Sequence, residues 1–437
     1  MGHSHGPVDE TGLTRPELRR RKAARRRAVV LLSWILGPLA LLTAVAMVLM
    51  FPGADTAPPS VNSPYSAAPG ASIDSGTVQR TATEDCAVSS SGNPGSSCFI
   101  AYTVVKGLGE VPVLVGPDIV QAGGVDAGDT ISYLNLSGLA AITGADHVGP
   151  TYVFMDFVRT VPMGLLALLY AVVVVAVARW RGLRAMVGLV GAFGVLAWFV
   201  LPALAQGQSP LWVALVGSSA IMFGVLYFAH GFSARTSTAL LGTLFGLGVT
   251  AGLAAWAVDA AALTGTSGHN AYQLLNMTEG MSLSGMILCG LVISGLGVLN
   301  DVTITQSSAV WEMYELAPHT STRDLFTSAM RIGRDHIAST VYTIAFAYAG
   351  SALPVLLMVS LYDQPLLGAL TGVELAEEIV RILVGSIGLV LAIPVTTAVA
   401  VAVVKATGRP AAIAVAPSVQ AETVHGEAAN HQLVEHR

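Results

Sequence analysis

Eight apolar stretches, each close to the twenty or so residues that a bilayer asks of a helix, dominate this chain. They read as Ala28–Phe51, Thr160–Ala178, Ala185–Ala205, Leu211–Ala229, Ser237–Ala260, Ser282–Asn300, Ala338–Leu361 and Ile379–Val404. In lipid every backbone polar group must be satisfied internally, and runs without strict alternation do this as helices. Charge usage agrees: 11% of the 437 residues are Asp, Glu, Lys or Arg, against about 25% in soluble domains. The expected fold is a mainly α-helical polytopic membrane protein of about eight transmembrane helices. A small β-rich extracytoplasmic domain is expected between helices 1 and 2.

The few charges test the count. The net charge is −5, yet eight of the 22 Lys and Arg residues cluster between Arg15 and Arg27, directly before the first apolar run. There the cluster reads as a positive-inside signal and not as a nucleic-acid patch. With the N-terminus inside, the inner connections carry Arg179, Arg181 and Arg184, then Arg235, then Arg323, Arg331 and Arg334, then Lys405 and Arg409. The outer connections near Gln206, at 265–279 and at 362–378 carry no Lys or Arg. One span more or fewer would reverse the later loops. The expected layout is therefore a basic cytoplasmic tail (1–27), helix 1 (28–51), a Pro/Ser/Ala-rich linker (52–70), the β-rich domain (71–148), seven further helices (149–404) and a cytoplasmic tail (405–437). Residues 52–158 lie outside the cell and both termini inside. Helix 1 is too long for a signal-peptide core and reads as an uncleaved anchor.

Within 71–148 the texture changes. Residues 77–83, 99–105, 111–115 and 131–134 are strand-like and separated by Gly- and Asp-containing turns, as in a small barrel or sandwich. Cys86 and Cys98 fall in this segment, where a disulfide can form. Cys289, in an apolar run, is a packing residue. Asp146–His147 reads as a loop pair, and the histidines of the first six residues as a solvated tail.

The candidate site lies late in the chain. Asp301, Thr305, Ser308, Glu312 and Glu315 are spaced by four, three, four and three residues, so they share one side of a helix. Asn300 precedes them. Ser339 and Thr340 open the next span, just after Arg331, Arg334, Asp335 and His336. A carboxylate at a membrane helix end needs a partner or water. Two readings stand: an ion or proton relay over Asn300, Asp301, Thr305, Ser308, Glu312, Ser339 and Thr340, and an interfacial network that holds helices in register. A second group near the outer helix ends (Asp156, Arg159, Asp259, His269, Glu279, Glu374, Glu377, Glu378, Arg381) reads mainly as local pairs, with Glu377 and Arg381 four apart. His230 reads as interfacial. Gly242/Gly246 and Gly248/Gly252 are two small-xxx-small pairs that favour close helix packing. Pro162, Pro202, Pro354 and Pro394 lie in or near spans and can bend them.

No GxxxxGK[ST], HExxH, GxSxG or paired CxxC occurs, which weighs against a nucleotide-driven pump or a metalloprotease. No catalytic pair is visible, and no cofactor or metal site is expected.

Three segments carry a resemblance: Gly295 to Glu315 (GLGVLNDVTITQSSAVWEMYE), Met330 to His336 (MRIGRDH) and Ala347 to Pro354 (AYAGSALP). Together they resemble the YibE/F-like family of bacterial membrane proteins, over most of residues 71–404. That resemblance implies a topology and no substrate. Gly297-Val298-Leu299-Asn300-Asp301, followed by a charged inner helix and a Ser/Thr-rich helix, is also distantly similar to SecF and the resistance–nodulation–division transporters. That likeness implies proton coupling at Asn300 and Asp301. The chain departs from those families in its eight spans and its single unit. The expected function is a permease-like protein of a bacterial cell membrane, acting on an unidentified small solute or ion. The rival is a non-transporting assembly or sensing scaffold whose outer domain docks a protein. Beside the lipid bilayer, no nucleic-acid partner is expected.

Overall fold

The computed structural model describes residues 15–52, 70–85, 97–105, 109–138, 151–266, 282–361 and 365–407. The first helix, α1, runs Arg15–Leu49. Five strands follow: β1 Ser72–Asp85, β2 Ser97–Val105, β3 Gly109–Val115, β4 Thr130–Asn135 and β5 Tyr152–Phe157, with a short helix α2, Pro117–Gln121, between β3 and β4. They close into a barrel in the order β1-β2-β3-β5-β4. The β3–β5 pair is parallel and the others are antiparallel. This is the connectivity of a five-stranded Greek-key barrel, as in the OB fold. Alternation builds its core: Val111, Val113 and Val115 all point inward, and Val78, Ala101, Val125, Ile131 and Tyr133 complete the cluster.

The barrel extends past the boundary at 148 expected from sequence. Its fifth strand, YVFMDF, is apolar enough to pass for the approach to the membrane. Asp156 on that strand accepts from the Phe157 N–H and from Arg159 at 2.9 Å. The amide and then the guanidinium hold its carboxyl below the ordinary aspartate range. Cys98, in β2, is disulfide-bonded. Cys86, Asp146, His147, His269, Glu279 and both chain ends lie outside the described residues.

The apolar part comprises α3 Thr160–Val195, a π-turn Leu196–Val200, α4 Leu201–Ala205, α5 Pro210–His230, α6 Ala234–Ala260, α7 Leu283–Leu316, α8 Thr322–Ser351, α9 Leu353–Leu361, α10 Leu366–Leu370 and α11 Val373–Thr407. Among the described residues six helical stretches are long and apolar enough to cross a membrane, or seven if α8 and α9, bent by 64°, form one span. The starts are written locally. Ser233, Ser282 and Ser321 each accept from a backbone N–H three residues on, satisfying a donor that the first helical turn leaves free.

Thr160–Ala205 passes as one 46-residue stretch, which if straight would be about 69 Å long. It is not straight. Arg179 has φ 52° and ψ −134°, and a Cβ on Gly182 would lie 2.6 Å from the Val174 carbonyl oxygen. Residues eight apart in a straight helix are separated by about 12 Å, so the chain folds back at Arg179. Those dihedrals suit glycine. We expect Arg179→Gly to raise stability by about 1 kcal/mol, the relief of a strained φ less the added freedom of the unfolded chain, measured by thermal unfolding in detergent.

The centre of the bundle is α6, α7 and α11. Gly242 lies against the side chain of Thr396 and Gly388 against that of Thr250, while Gly246 faces Leu299 and Ala392. The three helices therefore approach without intervening side chains, in the manner of small-residue packing in lipid. The α3 hairpin is peripheral: Leu165, Leu166, Leu168 and Leu169 are all more than half exposed, as a lipid-facing surface would be.

Candidate functional site

Sequence placed the end of a span at Asn300, with a polar helical face running on beyond it. α7 is continuous through both for 34 residues, because nothing from Asn300 to Leu316 breaks a helix: the stretch has no Gly and no Pro. Its two sides differ in kind. Gly290, Gly297, Asp301, Thr305, Glu312 and Glu315 are exposed and Ser308 is half-buried, whereas Val302, Thr303, Gln306, Ser307 and Val310 are buried. The charged stripe thus faces outward, and the uncharged polar groups one step round the helix face inward.

Depth follows from contacts. Ser307 donates to the Arg235 carbonyl at 2.9 Å, so it is level with the start of α6 and the end of α5. The 21 residues of α5 span about 31 Å, one hydrocarbon thickness. Asp301 lies six residues before Ser307 on α7, about 9 Å from it along the helix and within the stretch that α5 spans. Its Oδ2 is 3.8 Å from Nε2 of His336 on α8, and the two side chains are 69% and 30% exposed. That distance suits a charge pair and is too long for a hydrogen bond. Among the described residues His336 Nε2 and Asn300 Oδ1 have no hydrogen-bond partner. Of the remaining sequence-derived residues, Thr305, Ser308 and Glu312 continue the exposed stripe. Ser339 and Thr340 are spent locally: both hydroxyls donate to the His336 carbonyl, at 3.1 and 2.8 Å. They do not reach Asp301. His336, quoted only as part of a segment, is the group that does.

The inward polar groups form a second network that the sequence reading passed over. Thr243 and Thr303 share a hydrogen bond of 2.6 Å. Gln306 donates to the Ala329 carbonyl at 2.9 Å and to the Thr397 hydroxyl at 2.8 Å. The signal was present, since Thr303, Gln306 and Ser307 sit at i, i+3 and i+4, but without charge they read as filler. Gln306 joins three helices through one amide. Gln306→Ala removes both bonds and leaves a gap where three helices meet, and we expect a loss of about 1–3 kcal/mol, seen as a lower melting temperature in detergent.

The outer group divides. Asp156 pairs with Arg159, and Arg381 with Glu378 at 2.5 Å. The Arg381 guanidinium also lies 5.6 Å from the Tyr348 ring centroid. Asp259 lines an open bowl of about 590 Å³ between α6 and α7 with Thr264, Thr266 and Ser284. Among the described residues no cluster of three His, Cys, Asp or Glu side chains could hold a metal ion.

Residues 166–406, more than half of the chain, match the family described as YibE/F-like protein. The chain belongs to the YibE/F-like family. The match takes in α5 to α9 entirely and all but the last residue of α11, so the Asp301–His336 contact lies within it. The barrel precedes it: the likeness expected over most of 71–404 is shown from residue 166 onward. No curated protein and no solved structure matches the chain, and the likeness to SecF and the resistance–nodulation–division transporters is not shown.

Proposed function

We propose that this YibE/F-like protein is a permease-like protein of a bacterial cell membrane that moves a small solute or ion, driven by protons exchanged at Asp301 and His336. The observation that carries the reading is the 3.8 Å approach of Asp301 to His336 within the stretch that α5 spans. An ionisable pair at that depth is costly to keep and is a functional site by default. An imidazole and a carboxylate side by side are two groups that can carry and pass on a proton. Glu312, Ser308 and Thr305, on successive turns of the same stripe, supply polar groups from the Arg235 end up to Asp301. Asn300, Ser339 and Thr340 shape the neighbouring backbone and are positioning residues in this scheme. No enzymatic step is assigned.

In this reading the chain crosses the membrane eight times. The fold at Arg179 divides Thr160–Ala205 into two crossings, and α8 with α9 forms one bent crossing. Both termini are then cytoplasmic and residues 52–158, including the barrel, extracytoplasmic, in keeping with the distribution of arginines. The test is proton flux in proteoliposomes, with wild type set against Asp301→Asn. The second reading, a scaffold whose barrel docks a protein, is favoured by the close packing of α6, α7 and α11 at Gly242, Gly246 and Gly388. Under it the Asp301→Asn protein works normally and removal of the barrel abolishes function.

A further inference from the structure

We infer that the groove between the second arm of α3 and α5 binds one anionic phospholipid, with an acyl chain along the groove and the phosphate on Arg181 and Arg184. The inference stands apart from the transport reading. The groove holds about 310 Å³ and is lined wholly by glycine and apolar residues, among them Gly188, Gly191 and Val195 of α3 and Ala220, Gly224 and Phe228 of α5. The two helices run antiparallel. A Cβ on Gly188 would stand 4.0 Å from Phe228, and one on Gly217 would stand 3.6 Å from Phe199, in the π-turn that follows α3. Nothing lies within 4 Å of where a Cβ on Gly191 or Gly224 would be, so the middle of the trough is bare. From Gly188 to Val195 it runs about 10 Å, and a volume of about 310 Å³ over that length gives a cross-section of about 30 Å². A helix with its side chains is about 10–12 Å across and does not enter such a trough. A single hydrocarbon chain does.

Charge and depth identify the headgroup. Within α3 only Arg179 has non-helical dihedrals, so the arm from Arg181 to Val195 is regular. At about 100° per residue, Arg181, Arg184, Gly188, Gly191, Ala192 and Val195 fall within one arc of about 100°. The two arginines therefore stand on the face that lines the groove, past its end. That end is level with Phe228, two residues before α5 stops, and α5 spans about one hydrocarbon thickness. Arg184 and Arg181 lie about 6 and 10 Å beyond Gly188 along the arm, at the level of phosphates and not of acyl chains. Trp180, 63% exposed, sits at this level as tryptophans of a membrane interface do. Arg181 is close enough to the end of α5 for its charge to act on His230. Both arginines are exposed, and among the described residues neither forms an ion pair. Guanidinium groups suit phosphate oxygens, and a basic pocket between spans is how lipid headgroups are held. A zwitterionic lipid would bring its own cation against the arginines; an anionic one does not.

Native mass spectrometry of the full chain tests this, after release from nanodiscs of equal parts phosphatidylglycerol and phosphatidylcholine with the same acyl chains. The wild type should retain one phosphatidylglycerol, preferred over phosphatidylcholine by about tenfold or more. Arg181→Gln and Arg184→Gln should each lower that preference about fivefold. Arg334→Gln removes an equally exposed charge from α8 and should leave the preference unchanged. Gly191→Leu alters no charge but fills the trough, and should cut retention of phosphatidylglycerol by about tenfold or more. Thermal unfolding of each variant in lipid-free detergent separates lost binding from lost folding. Equal retention of the two lipids by the wild type would overturn the inference. So would an unchanged preference in both arginine variants, a loss of the same size with Arg334→Gln, or full retention by a folded Gly191→Leu protein.

Discussion

Proton flux through proteoliposomes falls by about a hundredfold or more, the scale of a lost acid–base group, when Asp301 is replaced by Asn. The amide keeps the size and polarity of the side chain but cannot take up or release a proton. The neighbours should be graded. His336→Gln removes the basic group that faces Asp301, and should lower flux substantially while Asp301 itself remains. Thr305→Val and Ser339→Ala should have small effects, because Ser339 already donates to the His336 carbonyl. A structural network would behave otherwise: Asp301→Asn would leave flux unchanged, and the largest losses would fall on folding. Measuring flux and melting temperature on the same preparations distinguishes the two patterns.

The second large effect is on stability. Gly242→Ala and Gly246→Ala should each destabilise the bundle by about 1–3 kcal/mol, the usual range for overpacking. A methyl on Gly242 would meet Thr396, whose Cβ lies 2.9 Å away; one on Gly246 would lie 2.6 Å from Leu299 and 3.0 Å from Ala392. Gly248 and Gly252 are on the same helix, also four residues apart, and nothing lies within 4 Å of either position. Alanine there should be neutral or stabilising, up to the roughly 0.8–1.0 kcal/mol by which glycine disfavours a helix. Four melting curves read the comparison. Equal losses at all four positions would mean that intrinsic helix geometry, and not the α6–α11 contact, sets the glycine requirement.

The two glycine pairs show what a sequence can carry here. Spacing alone marks both as helix-packing cues, and only the direction of the helix face separates them. The same holds for α7. Periodicity groups Asp301, Thr305, Ser308 and Glu312 on one side, and they are on one side. It does not state that this side faces out while Thr303, Gln306 and Ser307 face in. In water, charge on the outside would be the default expectation. In a bilayer that expectation fails, and no pattern within one helix restores it. The strand alternation at 77–83, 99–105, 111–115 and 131–134 coincides with β1 to β4, since a barrel with one wet face writes period two into its strands. β5 was harder to read because its burial grades are nearly uniform along its length. His336 was hidden by register: its meeting with Asp301 depends on how far α8 has slid along α7, a quantity set by Gly333 nesting against Gln306 and Ile393.

Under the proposed eight-crossing arrangement, the reversal at Arg179 has a consequence for how the chain is made. With a turn of one or two residues, the two arms of the Thr160–Ala205 hairpin have no loop long enough to let one arm enter lipid and wait for the other. They must insert together as a preformed pair, and the orientation of one dictates that of its neighbour. An error in the signal read by the first arm cannot be repaired by the second. The burden of orienting this part of the chain falls on the three arginines at the tip, Arg179, Arg181 and Arg184. Glycosylation-site mapping during synthesis should find both arms inverted together when those arginines are neutralised, and never one alone.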